Sequence, residues 1–168
     1  MQTPIGTLVR AAFILGMGLS MFFDGIVLHQ LLQWHHMVSQ WYAPTTLAAM
    51  ELNTRWDGLF HLIAWVLTVA GVVLLWRAIR ACPQSVPSSV VAGALIAGWG
   101  TFNIVENLLN HFILGVHHVR EATSHILLYD VGFLLLFGVV LATAGWWLMR
   151  RGLRGVSQAG ADMAGRAA

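Results

Sequence analysis

The chain has 168 residues, of which 58% are hydrophobic and only 10% charged, with a mean hydropathy of +0.72 and no lysine. Soluble domains carry roughly 25% charged residues, so an ordinary cytosolic globule is excluded. The formal charge of +2 rests on arginines too few to form a phosphate-neutralising surface, which argues against nucleic acid as a partner, and the single Cys82 excludes a disulfide framework and a cysteine zinc site.

A membrane-crossing helix needs about 20 mainly apolar residues, and four stretches qualify: 6–36, 56–76, 88–115 and 129–149. The first is not a cleavable signal, because it is too long, carries Asp24 and lacks a small-residue cleavage site after a short apolar core. The pattern predicts an all-α, four-helix transmembrane bundle as one domain over 1–154. A Gly/Ala-rich, weakly charged tail over 155–168 is expected to be disordered. Arg10, Arg77, Arg80, Arg150, Arg151 and Arg154 flank one set of span ends, and only Arg55 and Arg120 flank the other. The positive-inside rule then puts both termini in the cytoplasm. All eight histidines fall in the opposite, outer half or its loops. Polar chemistry is therefore expected on the periplasmic or extracellular side.

Sliding the sequence on itself by 82 residues superposes Gly16, Gly18, Asp24, His29, His35 and His36 on Gly98, Gly100, Glu106, His111, His117 and His118. A weaker match at 73 lays Asp57, Phe60 and Arg77 on Asp130, Phe133 and Arg150. Two parallel helical hairpins, about 6–80 and 88–154, are the expected architecture, with spans one and three facing each other.

The polar residues of the spans gather in two layers. Asp57 and Asp130 lie 20 residues outward of Arg77 and Arg150, about 30 Å of helix. His29 and His111 fall near that level, and Asp24, Glu106 and His61 about one turn deeper. On span three Asn103, Glu106, Asn107, Asn110 and His111 share one helical face. No arginine or lysine occurs at the depth of these acids. A buried unpaired carboxylate is costly unless a cation neutralises it, and imidazole with carboxylate is the ligand set of divalent transition metals. Candidate metal ligands are Asp24, His29, Asp57, His61, Glu106, His111, His125 and Asp130. His36, His118, Asn103, Asn107 and Tyr129 are placed around them or on the way in, and His35 and His117 are placed with the former pair at the water boundary. Blander roles compete: Asp57–His61 as a hydrogen-bonded pair, the asparagines as interhelical glue, the glycines as packing sites and the tryptophans as an interfacial belt.

The segments F-F-D-G-I-V-L-H-Q (Phe22 to Gln30), W-D-G-L-F-H (Trp56 to His61) and E-N-L-L-N-H followed by H-H-V-R (Glu106 to Arg120) resemble a bacterial family of four-span membrane proteins termed domain of unknown function 2243. The resemblance covers nearly the whole chain and implies a fold but no activity. Asp57-x3-His61 and Asn107-x3-His111, with His125 downstream, are also similar to ligand pairs in the C-type subunit of membrane copper monooxygenases. That likeness tilts the metal slightly toward copper over zinc or iron.

The leading expectation is a membrane metalloprotein with a mononuclear or dinuclear site, with oxidoreductase chemistry the first enzymatic reading. A haem between His29 and His111 for electron transfer, a metal-handling or respiratory-oxidase assembly factor, a metal-dependent membrane hydrolase and a purely structural module are the alternatives. The bilayer is the one obligatory partner; a homo-oligomer or a respiratory membrane complex would be further ones.

Overall fold

The four apolar stretches fold as helices long enough to cross a membrane: Pro4–Leu31, Leu47–Ala81, Ser88–Ile113 and Ile126–Val156. The structure is a computed structural model and describes residues 4–82 and 85–167, which contain no strand. The first span is α1 (Pro4–Phe23) continued by a π-helical segment, Asp24–Leu31. The second is α2 (Leu47–Ala81). The third is α3 (Ser88–Glu106) followed by a π-helical segment, Asn107–Ile113. The fourth joins α4 (Ile126–Phe133) to α5 (Leu141–Ala167) through a third π segment, Leu134–Val140.

Two boundaries differ from expectation. Helix α2 begins nine residues before the apolar stretch at 56, because Thr46 caps it, its hydroxyl accepting from the Ala49 amide at 3.2 Å. Hydropathy alone misses this start because Glu51, Asn53, Thr54 and Arg55 interrupt the apolar pattern before Trp56. Helix α5 runs on to Ala167, through most of the segment whose composition predicts disorder; Ala168 lies outside the described residues. Four alanines between 159 and 167 have the helix propensity to continue it.

Spans one and three form the centre, span two packs on span one, and the fourth span packs on span three. The outward faces of α2 and α5 are apolar, with Leu62, Trp65, Val69, Trp146 and Trp147 exposed, as a bilayer-facing surface requires. Trp76, Trp146 and Trp147 carry the guanidinium groups of Arg80, Arg150 and Arg151 over their rings at 5.5, 4.8 and 5.5 Å. Arg-paired tryptophans at span ends are what an interfacial belt would use.

Glycines let the central backbones touch. A Cβ on Gly16 would lie 2.0 Å from the Leu95 carbonyl oxygen, and one on Gly98 would lie 2.1 Å from that of Phe13. Gly18 meets Thr68 and Gly100 meets Ala142 in the same way across the outer interfaces. The packing role read from these glycines holds.

Beyond the π segments the chain reverses. Leu32 and Leu114 donate to Val27 and Leu109, Trp34 and Val116 donate to Leu28 and Asn110, and the left-handed positions are Gln33 (φ 49°) and Gly115 (φ 58°). These turns send 35–39 and 117–121 back over the spans instead of out into water. Because nothing lies within 4 Å of a Cβ at Gly115, Gly115→Ala should cost only the left-handed penalty, about 1–2 kcal/mol. Thermal unfolding in detergent, with Gly132→Ala as the unstrained comparison, measures it.

Candidate metal centre

The π segments decide what the site is. In an α-helix residues five apart point about 140° away from each other, whereas the wider turn of a π-helix, hydrogen-bonded i→i+5, brings them toward one face. Asp24 and His29 are five apart within the first π segment, and His111 sits five beyond Glu106 in the second. Accordingly His29 Nε2 lies 3.2 Å from Asp24 Oδ2, and His111 Nε2 lies 3.3 Å from Glu106 Oε1.

The returning loops add one imidazole to each pair. Asp24, His29 and His35 form one group, and Glu106, His111 and His117 another, all buried, each with its potential ligand atoms within 4.8 Å of one another. His35 Nδ1 donates to the Val119 carbonyl and His117 Nδ1 to the Met37 carbonyl, both at 2.9 Å. The two loops therefore hold each other's histidines, with the Nε2 atoms left for the cluster. The His35 and His117 rings stack at 4.6 Å between centroids, flanked by His29 at 4.4 Å from His35 and His111 at 4.9 Å from His117. Four imidazoles and two carboxylates thus form one continuous buried row. Burial, reinforced by the neighbouring His117 and His29, holds His35 well below the ordinary imidazole range. It stays in the neutral form that can ligate.

Asp57 and Asp130 stand behind this row and are not part of it. Asp57 Oδ1 accepts from His29 Nδ1 (2.9 Å) and the Met37 amide (2.8 Å), and Oδ2 accepts from His36 Nδ1 (2.7 Å). Asp130 Oδ1 accepts from the Val119 amide (2.9 Å) and faces His111 Nδ1 at 3.4 Å, while Oδ2 accepts from His118 Nδ1 (2.7 Å). Among the described residues neither aspartate belongs to the two close groups of potential ligand atoms, and the oxygens of each are engaged by histidine nitrogens and a backbone amide. His36 and His118 are thereby joined to the row through these aspartates.

His61 and His125 lie outside both groups. His61 Nδ1 donates to the Asp57 carbonyl (2.8 Å), and its Nε2 is buried against Gly25 without a hydrogen-bond partner. Asp57 turns its carboxylate toward span one, so the Asp-x3-His spacing produces no ligand pair. His125 is exposed and its carbonyl accepts the Leu128 and Tyr129 amides at the start of α4. It is a helix-end residue remote from the row.

Asn103 and Asn107 bond across spans, whereas Asn110 bonds within its own. Asn103 accepts from Ser20 Oγ (2.9 Å) and donates to the Phe137 carbonyl (2.9 Å), and Asn110 donates to Glu106 Oε1 (3.3 Å). Asn107 donates to the Asp130 carbonyl (3.2 Å), and its amide nitrogen lies 2.8 Å from His111 Nδ1. Tyr129 accepts from Arg120 (2.6 Å) and packs on Trp34, away from the row.

His35 and His117 are the residues that sequence reasoning missed. Placing them at the water boundary assumed that the chain leaves the membrane after the spans, and the left-handed turns at Gln33 and Gly115 reverse it instead. One signal was present: His35 shares its helical phase with Asp24.

Comparison with curated proteins and with solved structures finds no match to this chain. The family model described as "Predicted membrane protein (DUF2243)" matches residues 11–152, and the chain belongs to that family of membrane proteins.

Proposed function

We propose that the protein is a membrane metalloprotein holding two divalent first-row transition-metal ions, one at Asp24, His29 and His35 and the other at Glu106, His111 and His117. The observation that carries this reading is the pair of buried groups of two imidazoles and one carboxylate. Nε2 of His35 has no partner in the protein, and those of His29 and His111 face only the carboxylate of their own group, at 3.2 and 3.3 Å. A merely structural polar network would leave the buried His35 Nε2 unsatisfied, at roughly 1–3 kcal/mol. Charge supports the same reading: every ion pair that Asp24, Asp57, Glu106 and Asp130 make among the described residues is with histidine. Four carboxylates balance two divalent ions, which removes the penalty of burying either alone.

Two imidazoles and one carboxylate with open positions is the donor set of non-haem iron and of catalytic zinc. The geometry moves iron and zinc ahead of copper, whose support came from the Asp57–His61 spacing. Oxygen-dependent oxidoreduction is the first chemistry such a pair of ions suits, and activation of a metal-bound water the second. A haem between His29 and His111 fits poorly, because the stacked rings of His35 and His117 fill the space between them.

The proposal takes the two groups as equivalent halves of a duplicated hairpin. In its support, the pairs Gly16–Leu95 and Gly98–Phe13, and His35–Val119 and His117–Met37, are reciprocal at an offset of 82. It further places the metal row toward the outer face of a bacterial plasma membrane, with Arg77, Arg80, Arg150 and Arg151 at the cytoplasmic face. Cobalt(II) titration of metal-free protein in detergent tests the central point. Visible d–d bands should grow to two equivalents per chain, and an absence of cobalt bands would overturn the proposal.

A further inference from the structure

At the histidine end of the molecule a cavity of about 440 Å³ opens among the loops, lined in part by Gln33, Trp34, His35, His36, Thr54 and Glu121. Its wall includes the one imidazole that belongs both to the cavity and to a metal group. His35 is 3% exposed, its Nδ1 is tied to the Val119 carbonyl, and its Nε2 has no partner in the protein. The corresponding His117 is engaged at both nitrogens, by the Met37 carbonyl and by Glu106 Oε1 at 2.9 Å. Of the two groups, the one at Asp24 is thus the one whose histidine both borders this cavity and keeps an unpartnered nitrogen, which lies just beneath the cavity wall, closed to solvent.

Glu121 also lines the cavity. Ser39, itself buried, donates its hydroxyl to Glu121 Oε1 at 2.7 Å and lies 2.8 Å from the His36 carbonyl, while the Glu121 amide donates to the Trp34 carbonyl at 3.1 Å. The carboxylate is therefore held in place by neutral groups, and no ion pair to it occurs among the described residues. Arg120, the next residue, is turned away: it donates to Tyr129 Oη at 2.6 Å and stacks on the Trp34 and Tyr129 rings at 5.2 Å.

We propose that this cavity is the port through which a hydrated divalent cation reaches the buried row, with Glu121 attracting the ion and His35 receiving it as the first protein ligand. This rests on the two-ion reading and adds to it a route, an order of filling and a residue with no place among the ligands. A fixed carboxylate in a narrow polar opening raises the local cation concentration and hence the rate of capture without strengthening the final complex. The Asp24 group fills first and the Glu106 group second.

Stopped-flow mixing of metal-free protein in lipid nanodiscs with cobalt(II), read by its visible bands, separates rate from capacity. Glu121→Gln, which keeps the oxygen facing Ser39, should slow loading by roughly tenfold and leave the final cobalt content at the wild-type value. Added salt should slow the wild type more than the variant. Thr54→Trp, a plug in the exposed wall, should slow loading as well. Wild-type rates in both variants would overturn the port. A lower final cobalt content in Glu121→Gln would also overturn it, making Glu121 a ligand. If the wild type takes up no cobalt the two-ion reading itself fails, whereas normal wild-type loading with unchanged variants rejects the port alone.

Discussion

Gly98→Ala is expected to cost the folded protein roughly 3 kcal/mol or more, at the upper end of overpacking penalties. The added Cβ would sit 2.1 Å from the Phe13 carbonyl oxygen. Backbone cannot rotate out of the way as a flexible side chain can, so spans one and three must separate. Separation also breaks the Ser20–Asn103 bond and the loop contacts through which each half holds the other's histidine. Gly16→Ala meets Leu95 at 2.0 Å and should behave alike, while Gly132→Ala, with nothing within 4 Å, should be close to neutral. Thermal unfolding followed by circular dichroism in detergent compares the three. Equal midpoints for Gly98→Ala and Gly132→Ala would contradict the close central packing.

Asp57→Asn is expected to weaken metal held at the Asp24 group by 10- to 100-fold, the usual consequence of losing a carboxylate behind a ligating histidine. The carboxylate accepts His29 Nδ1–H at 2.9 Å and so leaves Nε2 as the ligand nitrogen. An amide can present its NH2 to the ring instead and favour the wrong tautomer. Because Oδ1 serves both His29 Nδ1 and the Met37 amide, turning the NH2 to the ring also costs the loop this anchor, whereas keeping the oxygen there leaves the ring a weaker, uncharged acceptor. Asp130→Asn should do the same to the Glu106 group alone. Competition with a chelator of known affinity resolves the two ions. Each variant should alter one of two binding steps, and a variant that moves both steps equally would argue for a single shared site.

The spans were legible because apolar length is a direct physical requirement of the bilayer, and the glycine contacts because small residues recur where backbones must approach. The candidate site was legible in part. Asp24, His29, Glu106 and His111 stand out as ionisable residues in an apolar chain without cationic partners, and the offset of 82 marks them as pairs. What α-helical periodicity hides is that residues five apart converge. That follows from the π segments, a backbone choice with no simple residue signature. The same limit explains Asp57 and His61: i, i+4 spacing lets two side chains meet, but the stronger demand on Asp57 comes from His29 and His36 on the first hairpin's other arm. His35 and His117 needed the left-handed turns, of which only Gly115 announces itself by residue type.

Elemental analysis of protein purified without added metal, in the wild type and in His29→Ala, His111→Ala and the double variant, tests the two-ion site most directly. Two transition-metal ions per chain in the wild type, one in each single variant and none in the double variant is the expected pattern. Metal content that is the same in all four, or a wild type without transition metal that also fails to bind it when offered, would contradict it.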